Sequence, residues 1–172
     1  MERHVALVGL PGVGKSTVAR RLGRELSRDV VDLDAEIERR AHRSVKEIFA
    51  EEGEAGFRRH ERAALQAVLE RVEPVVLACG GGVVTDAESR RLLGEGALVV
   101  WLDADDDVVL ARLRASRTVR PLMEEDPVAT LRRLRAEREP LYEALAALRV
   151  DVGRAGPGTS TRAVLAVLNG TP

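Results

Sequence analysis

Val5-Ala6-Leu7-Val8-Gly9-Leu10-Pro11-Gly12-Val13-Gly14-Lys15-Ser16-Thr17 decides the fold. Four apolar residues run into a glycine-rich turn, then a lysine and two hydroxyls, and a helical pattern follows. That order satisfies G-x-x-x-x-G-K-[ST] in the strand–loop–helix setting the motif requires, so it reads as a phosphate-binding loop. The glycines let successive backbone N–H groups face inward around a phosphate chain, and the positive end of the following helix adds to the field. The phosphates of a nucleoside triphosphate are therefore expected between Gly9 and Thr17, on Gly12, Val13, Gly14, Lys15, Ser16 and Thr17. Lys15 supplies a mobile cation for the β- and γ-phosphates, and Ser16 offers a hydroxyl to Mg²⁺. Lys15 and Lys46 are the only lysines in an arginine-rich chain. A lysine here suggests a compact ammonium where a planar guanidinium would not fit.

At 172 residues, 45% hydrophobic and 32% charged, the chain fits one soluble domain spanning 1–172 with a sizeable core. The net charge of −1 and the pI near 6.3 give no case for nucleic acid or an anionic membrane as a partner. No segment approaches the length of a membrane span, and Met1-Glu2-Arg3-His4 leads directly into the first strand, so no secretory signal is expected. Cys79, the single cysteine, can form neither an internal disulfide nor a cysteine-rich metal site. A cytoplasmic enzyme of monomer size is the simplest class.

Strand and helix alternate along the chain. The loop is followed by a helix over 16–27, a short strand over 30–34, helical stretches over 35–41 and from Ser44, and a long helix over 57–72 after Gly53 and Gly56. Ser44 with Glu47, and Thr85 with Glu88, have the spacing of capping boxes. Further strands are expected over 75–79, 97–102 and 148–152, and further helices over 105–115, 128–147 and 161–168, with a kink or restart at Pro140. The stretch 116–127 lacks periodicity and reads as an exposed loop, and 153–161 as a turn-rich connection. Apolar strands separated by helices argue for a parallel sheet covered on both faces, with ligands at the carboxyl ends of the strands.

Asp32 and Asp34 are two residues apart at a strand end, which on extended backbone turns both carboxylates to one side. Beside Mg-ATP, one carboxylate can hold the metal and the other can accept the proton of an attacking hydroxyl. Asp34 could instead cap the helix from Ala35. Asp103, ending an apolar strand, is a rival metal residue to Asp32. Asp105, Asp106 and Asp107 suit the start of a helix. Gly80-Gly81-Gly82 exceeds what a turn needs and reads as a backbone site for an anion or hydroxyl. Arg58, at an expected helix start, can reach a carboxylate in the cleft or pair with Glu54 on the surface. Arg120, with Arg117 nearby, sits in the irregular loop, where an arginine can cover a transferring phosphate. His4, His42, His60, Cys79 and Trp101 read as structural.

These landmarks together resemble the shikimate kinases, small P-loop kinases similar in fold to the nucleoside monophosphate kinases. The resemblance rests on Gly9 to Thr17, Asp32-Leu33-Asp34, Phe57-Arg58-Arg59, Gly80-Gly81-Gly82, Arg120-Pro121-Leu122 and Arg138-Glu139-Pro140-Leu141-Tyr142, and covers nearly the whole length. It implies a three-layer α/β fold with a five-stranded parallel sheet, helices on both faces and a mobile lid. It further implies transfer of the ATP γ-phosphate to the 3-hydroxyl of shikimate, in chorismate and aromatic amino-acid biosynthesis. On that reading Asp34 holds the reacting hydroxyl and acts as base, and Arg58 and Arg138 grip the shikimate carboxylate. Gly80, Gly81 and Gly82 complete the acceptor site. Lys15 and Arg120 stabilise the transferring phosphoryl group, and Ser16 and Asp32 organise Mg²⁺. Residues from about 34 to 61 would form the shikimate-binding subdomain and 116–126 the lid. The family's adenine pocket implies Pro157 and either Arg112 or Arg114. Alternatives are a gluconate or nucleotide kinase and, from a different class, a catalytically silent ATP-binding regulator. A GTPase would need Asn-Lys-x-Asp, and the only asparagine is Asn169.

Overall fold

Every residue of β1 (His4–Val8) is buried, as a strand must be when it is paired on both edges and covered on both faces. A computed structural model describes residues 3–115, 126–153, 156–168 and 170. Within them, β1 joins β2 (Val30–Asp32), β3 (Val76–Ala78), β4 (Ala97–Asp103) and β5 (Leu148–Asp151) in a parallel sheet of order β2-β3-β1-β4-β5. The inner strands are apolar, as expected. The edge strands instead alternate, and β5 buries only Val150 fully.

The crossovers are α1 (Lys15–Leu26), α2 (Leu33–Ala41), α3 (Val45–Leu69), α4 (Ala87–Gly96), α5 (Asp106–Ala115) and α6 (Pro127–Leu145), with α7 (Gly156–Leu168) at the end. The step β1→β2 runs one way along the sheet and β3→β4 the other, so right-handed crossovers put α1 and α4 on opposite faces. α7 packs on α1, whereas α3 packs on α4, and α6 on α5 and β4. This is the three-layer arrangement expected.

Several local expectations need correction. The strand expected through Asp34 stops at Asp32, whose side chain accepts from Ala35 N at 3.2 Å and so caps α2. Asp34 lies in the first turn of that helix, not on extended backbone. The Ser44–Glu47 capping box forms, but Asp86 rather than Thr85 caps α4, accepting from Ser89 N at 2.9 Å. The chain bends once in α3, at Gly53 (φ 68°, ψ −172°), and Gly56 is a buried helical residue beyond the bend. Arg58 therefore lies inside the second half of α3. α6 runs on through Pro140, and α7 begins at Gly156 rather than Thr161. The expected lid, with Arg117, Arg120, Pro121 and Leu122, lies outside the described residues apart from Asp126, which caps α6.

Candidate active site

The phosphate loop leaves β1 and ends at Gly14, which sits at the N-terminus of α1 with φ 101°, a conformation a side chain would strain. The Lys15 ammonium donates to the carbonyls of Gly9 at 2.8 Å and Leu10 at 3.0 Å, which holds it over the loop. A cleft of about 420 Å³ opens there, lined on one side by Gly12, Gly14, Lys15, Ser16 and Thr17. Asp32, Asp34, Gly80 and Gly81 line its other side, so the strand ends converge as expected. Arg112 also reaches the cleft. Its guanidinium donates to Val13 O at 2.7 Å and Val152 O at 3.0 Å, tying the loop to the end of β5. Arg114 is exposed.

Each glycine of Gly80-Gly81-Gly82 faces one functional side chain. A methyl on Gly80 would lie 3.2 Å from Asp34 Oδ1, and one on Gly81 3.3 Å from Arg138 Nη1, while one on Gly82 would collide with Arg58 Nη2. Arg58 donates to Glu61 Oε2 at 2.6 Å and reaches Glu54 at 3.4 Å, so the surface pair weighed from sequence is the weaker of its two. Glu61, missed in the sequence, is only 1% exposed. Burial pushes its pKa up, the adjacent Arg58 pulls it down, and Asp34 and Asp86 push it up further. Its signal was available, since i,i+3 spacing from Arg58 puts both on one helix face.

Arg138 is 7% exposed, although arginines are almost never fully buried without partners. Three buried side-chain atoms lack a hydrogen-bond partner among the described residues: Arg58 Nε, Glu61 Oε1 and Arg138 Nε. An unpaired buried polar group costs about 1–3 kcal/mol, and native structures keep few of them. All three belong to residues flanking the glycine turn, where the two guanidinium groups suit an anionic group and the Glu61 oxygen suits a donor.

For a divalent cation, no group of three or more His, Cys, Asp or Glu occurs among the described residues. The oxygen donors lining the cleft are hard ones, the Ser16 and Thr17 hydroxyls and the Asp32 and Asp34 carboxylates, and the predicted pair Ser16 and Asp32 is among them. That set fits Mg²⁺, which takes one or two protein ligands and fills its shell with phosphates and water. Asp103 does not compete with it. Its carboxylate is held by Arg135 at 3.0 Å and Arg149 at 2.7 Å.

The sequence model of the shikimate kinases matches residues 11–169. The chain belongs to the shikimate kinase family. The shikimate kinase of Bordetella pertussis is 44% identical over 161 residues, 94% of this chain and 76% of that protein. The shikimate kinase of Parasynechococcus marenigrum is 44% identical over 167 residues, covering 96% and 86%. The structure of shikimate kinase from Acinetobacter baumannii in complex with shikimate superimposes with a TM-score of 0.90 at 34% identity, over 98% of this chain and 93% of that one. Membership of a kinase family accords with a phosphate-binding loop opening onto this cleft. Of the predicted residues, Gly12, Gly14, Lys15, Ser16, Thr17, Asp32, Asp34, Gly80, Gly81 and Arg112 line the cleft, Val13 is buried beneath the loop, and Arg58, Gly82 and Arg138 lie at the glycine turn. Pro157 falls at the start of α7, and its side chain lies outside the described residues.

Proposed function

We propose that this protein transfers the γ-phosphoryl group of ATP to the 3-hydroxyl of shikimate, releasing ADP and shikimate 3-phosphate. The observation that carries this reading is the glycine turn walled by Asp34, Arg138 and Arg58, opposite Lys15. A carboxylate bound by two guanidinium groups is strongly oriented, and Asp34 then meets a hydroxyl of the same molecule. Asp34 accepts the hydroxyl proton as the oxygen attacks the γ-phosphorus, and the bond from that phosphorus to the β–γ bridging oxygen breaks to release ADP. Lys15 and Arg120 stabilise charge on the transferring group, and Arg112 and Pro157 take the adenine. Ser16 and Asp32 would hold Mg²⁺, which would supply neutralising charge to the phosphate oxygens.

The whole of 1–172 acts as one domain, with 34–61 binding shikimate and 116–126 closing over the phosphates. No described helix is long and apolar enough to cross a membrane, and the net charge of −1 favours small-molecule substrates over nucleic acid. We further propose that the protein acts as a cytoplasmic monomer in aromatic amino-acid biosynthesis. The deciding experiment measures ADP release from Mg-ATP with shikimate, gluconate and nucleoside monophosphates supplied separately. Stimulation by shikimate alone is expected; stimulation by gluconate or a nucleotide instead would overturn the assignment.

A further inference from the structure

Behind the acceptor wall, Tyr142 is 1% exposed and has the largest fully buried side chain among the described residues. It follows Arg138 by four positions on α6, so the two side chains leave the same helix face one turn apart. Its phenol donates to the Gly81 carbonyl at 2.6 Å, and Arg138 lies beside the phenol oxygen. Burial raises the phenol's pKa, which keeps the hydroxyl a donor. The ring is stacked on Trp101, with centroids 5.8 Å apart.

Gly81 is confined on its other side as well. A methyl there would lie 3.0 Å from Pro11 Cδ and 3.2 Å from Gly9 O, both in the phosphate loop. In a trans peptide the Gly81 C=O and the Gly82 N–H point opposite ways, so fixing the carbonyl toward α6 also fixes the direction of that N–H. One residue thus sets the turn and the guanidinium in common register.

We propose that Tyr142 is a positioning residue for the acceptor. By holding the Gly81 carbonyl and flanking Arg138, it orients the groups that receive the acceptor's carboxylate and hydroxyls. This rests on the acceptor assignment made above. A purely packing role would need the ring alone, and the hydroxyl separates the two.

Tyr142→Phe keeps the ring and removes the donor. The shikimate KM should rise about tenfold, as a buried carbonyl is left unpaired, while the ATP KM stays within about twofold. The thermal midpoint should also fall, by about 2–12 °C, as one buried carbonyl left unpaired implies in a chain of this size. Calorimetric titration of shikimate gives the same comparison if turnover is lost. In an Arg138→Ala background the same substitution should raise the shikimate KM by less than about threefold, because coupled neighbours are non-additive. An unchanged shikimate KM and affinity in Tyr142→Phe would overturn the proposal, as would equal rises in both KM values. Failure of the unsubstituted protein to use shikimate would instead remove the acceptor assignment itself, a result visible before any variant is made.

Discussion

Asp34, the proposed base, lies in the first turn of α2, where its Oδ1 overlooks Gly80. Asp34→Asn is nearly isosteric, but the amide cannot take up the proton of the attacking hydroxyl. kcat should fall by about 10²–10⁴ while ATP still binds, as general acid–base contributions of that size imply. Rapid-quench turnover together with nucleotide titration checks it, and near-normal turnover removes Asp34 from that role. The residue types at this site were legible because each has chemistry that its spacing exposes. The partners were not: Glu61 reads on paper as one more acid in a charged helix, and only its burial beneath Arg58 marks it out. Likewise Asp32 was read as a metal residue alone, whereas its carboxylate also caps α2.

At the scale of the element, α3 is two helices joined at Gly53. The conformation there, φ 68° with ψ −172°, is essentially confined to glycine. Charged side chains fasten the bend: Glu52 before it accepts from Arg43 at 2.5 Å and meets His60 at 3.1 Å beyond it. The second half carries Phe57, Arg58 and Glu61, so the angle at Gly53 aims the acceptor wall. Gly53→Ala would meet no neighbour within 4 Å, so its cost is the backbone alone. A loss of about 1–3 kcal/mol is expected. Urea unfolding measures it, and a change within about 0.5 kcal/mol, the usual range for neutral surface substitutions, refutes it. Paired glycines announced a break here, but sequence could not say which of them bends, because either residue type permits it. The capping error at Thr85 has a similar cause, since Asp86 offers a competing acceptor one residue on.

For the whole molecule, the order of strands and helices was legible from periodicity, and the sheet's parallel sense from apolar inner strands. What pattern alone did not reveal was how polar groups hold the layers. His4 is buried in β1, and its Nδ1 accepts from Val75 N at 3.1 Å, beside the chain entering β3. Burial lowers its pKa below 6.5, against opposing backbone hydrogen bonds at Leu69 and Arg71. A protonated Nδ1 would present a donor to a donor. The folded state therefore binds this proton more weakly than the unfolded chain. Stability from this group is complete above the unfolded value and is lost as pH falls from about 6.5 toward the lowered folded value. Between about pH 7.5 and about pH 5.5, the urea midpoint of the unsubstituted protein should drop more than that of His4→Gln. Parallel drops would show that His4 does not set the pH dependence.

Trp101 is the chain's one tryptophan, stacked on Tyr142 and with the Arg149 guanidinium 4.2 Å from its ring centroid. Its indole sits one side chain away from the group that holds Gly81. Near-ultraviolet excitation of the native protein therefore interrogates the rear of the acceptor wall without any dye or label. An optical reporter thus stands behind the glycine turn, and shikimate binding is expected to alter its emission separately from product formation.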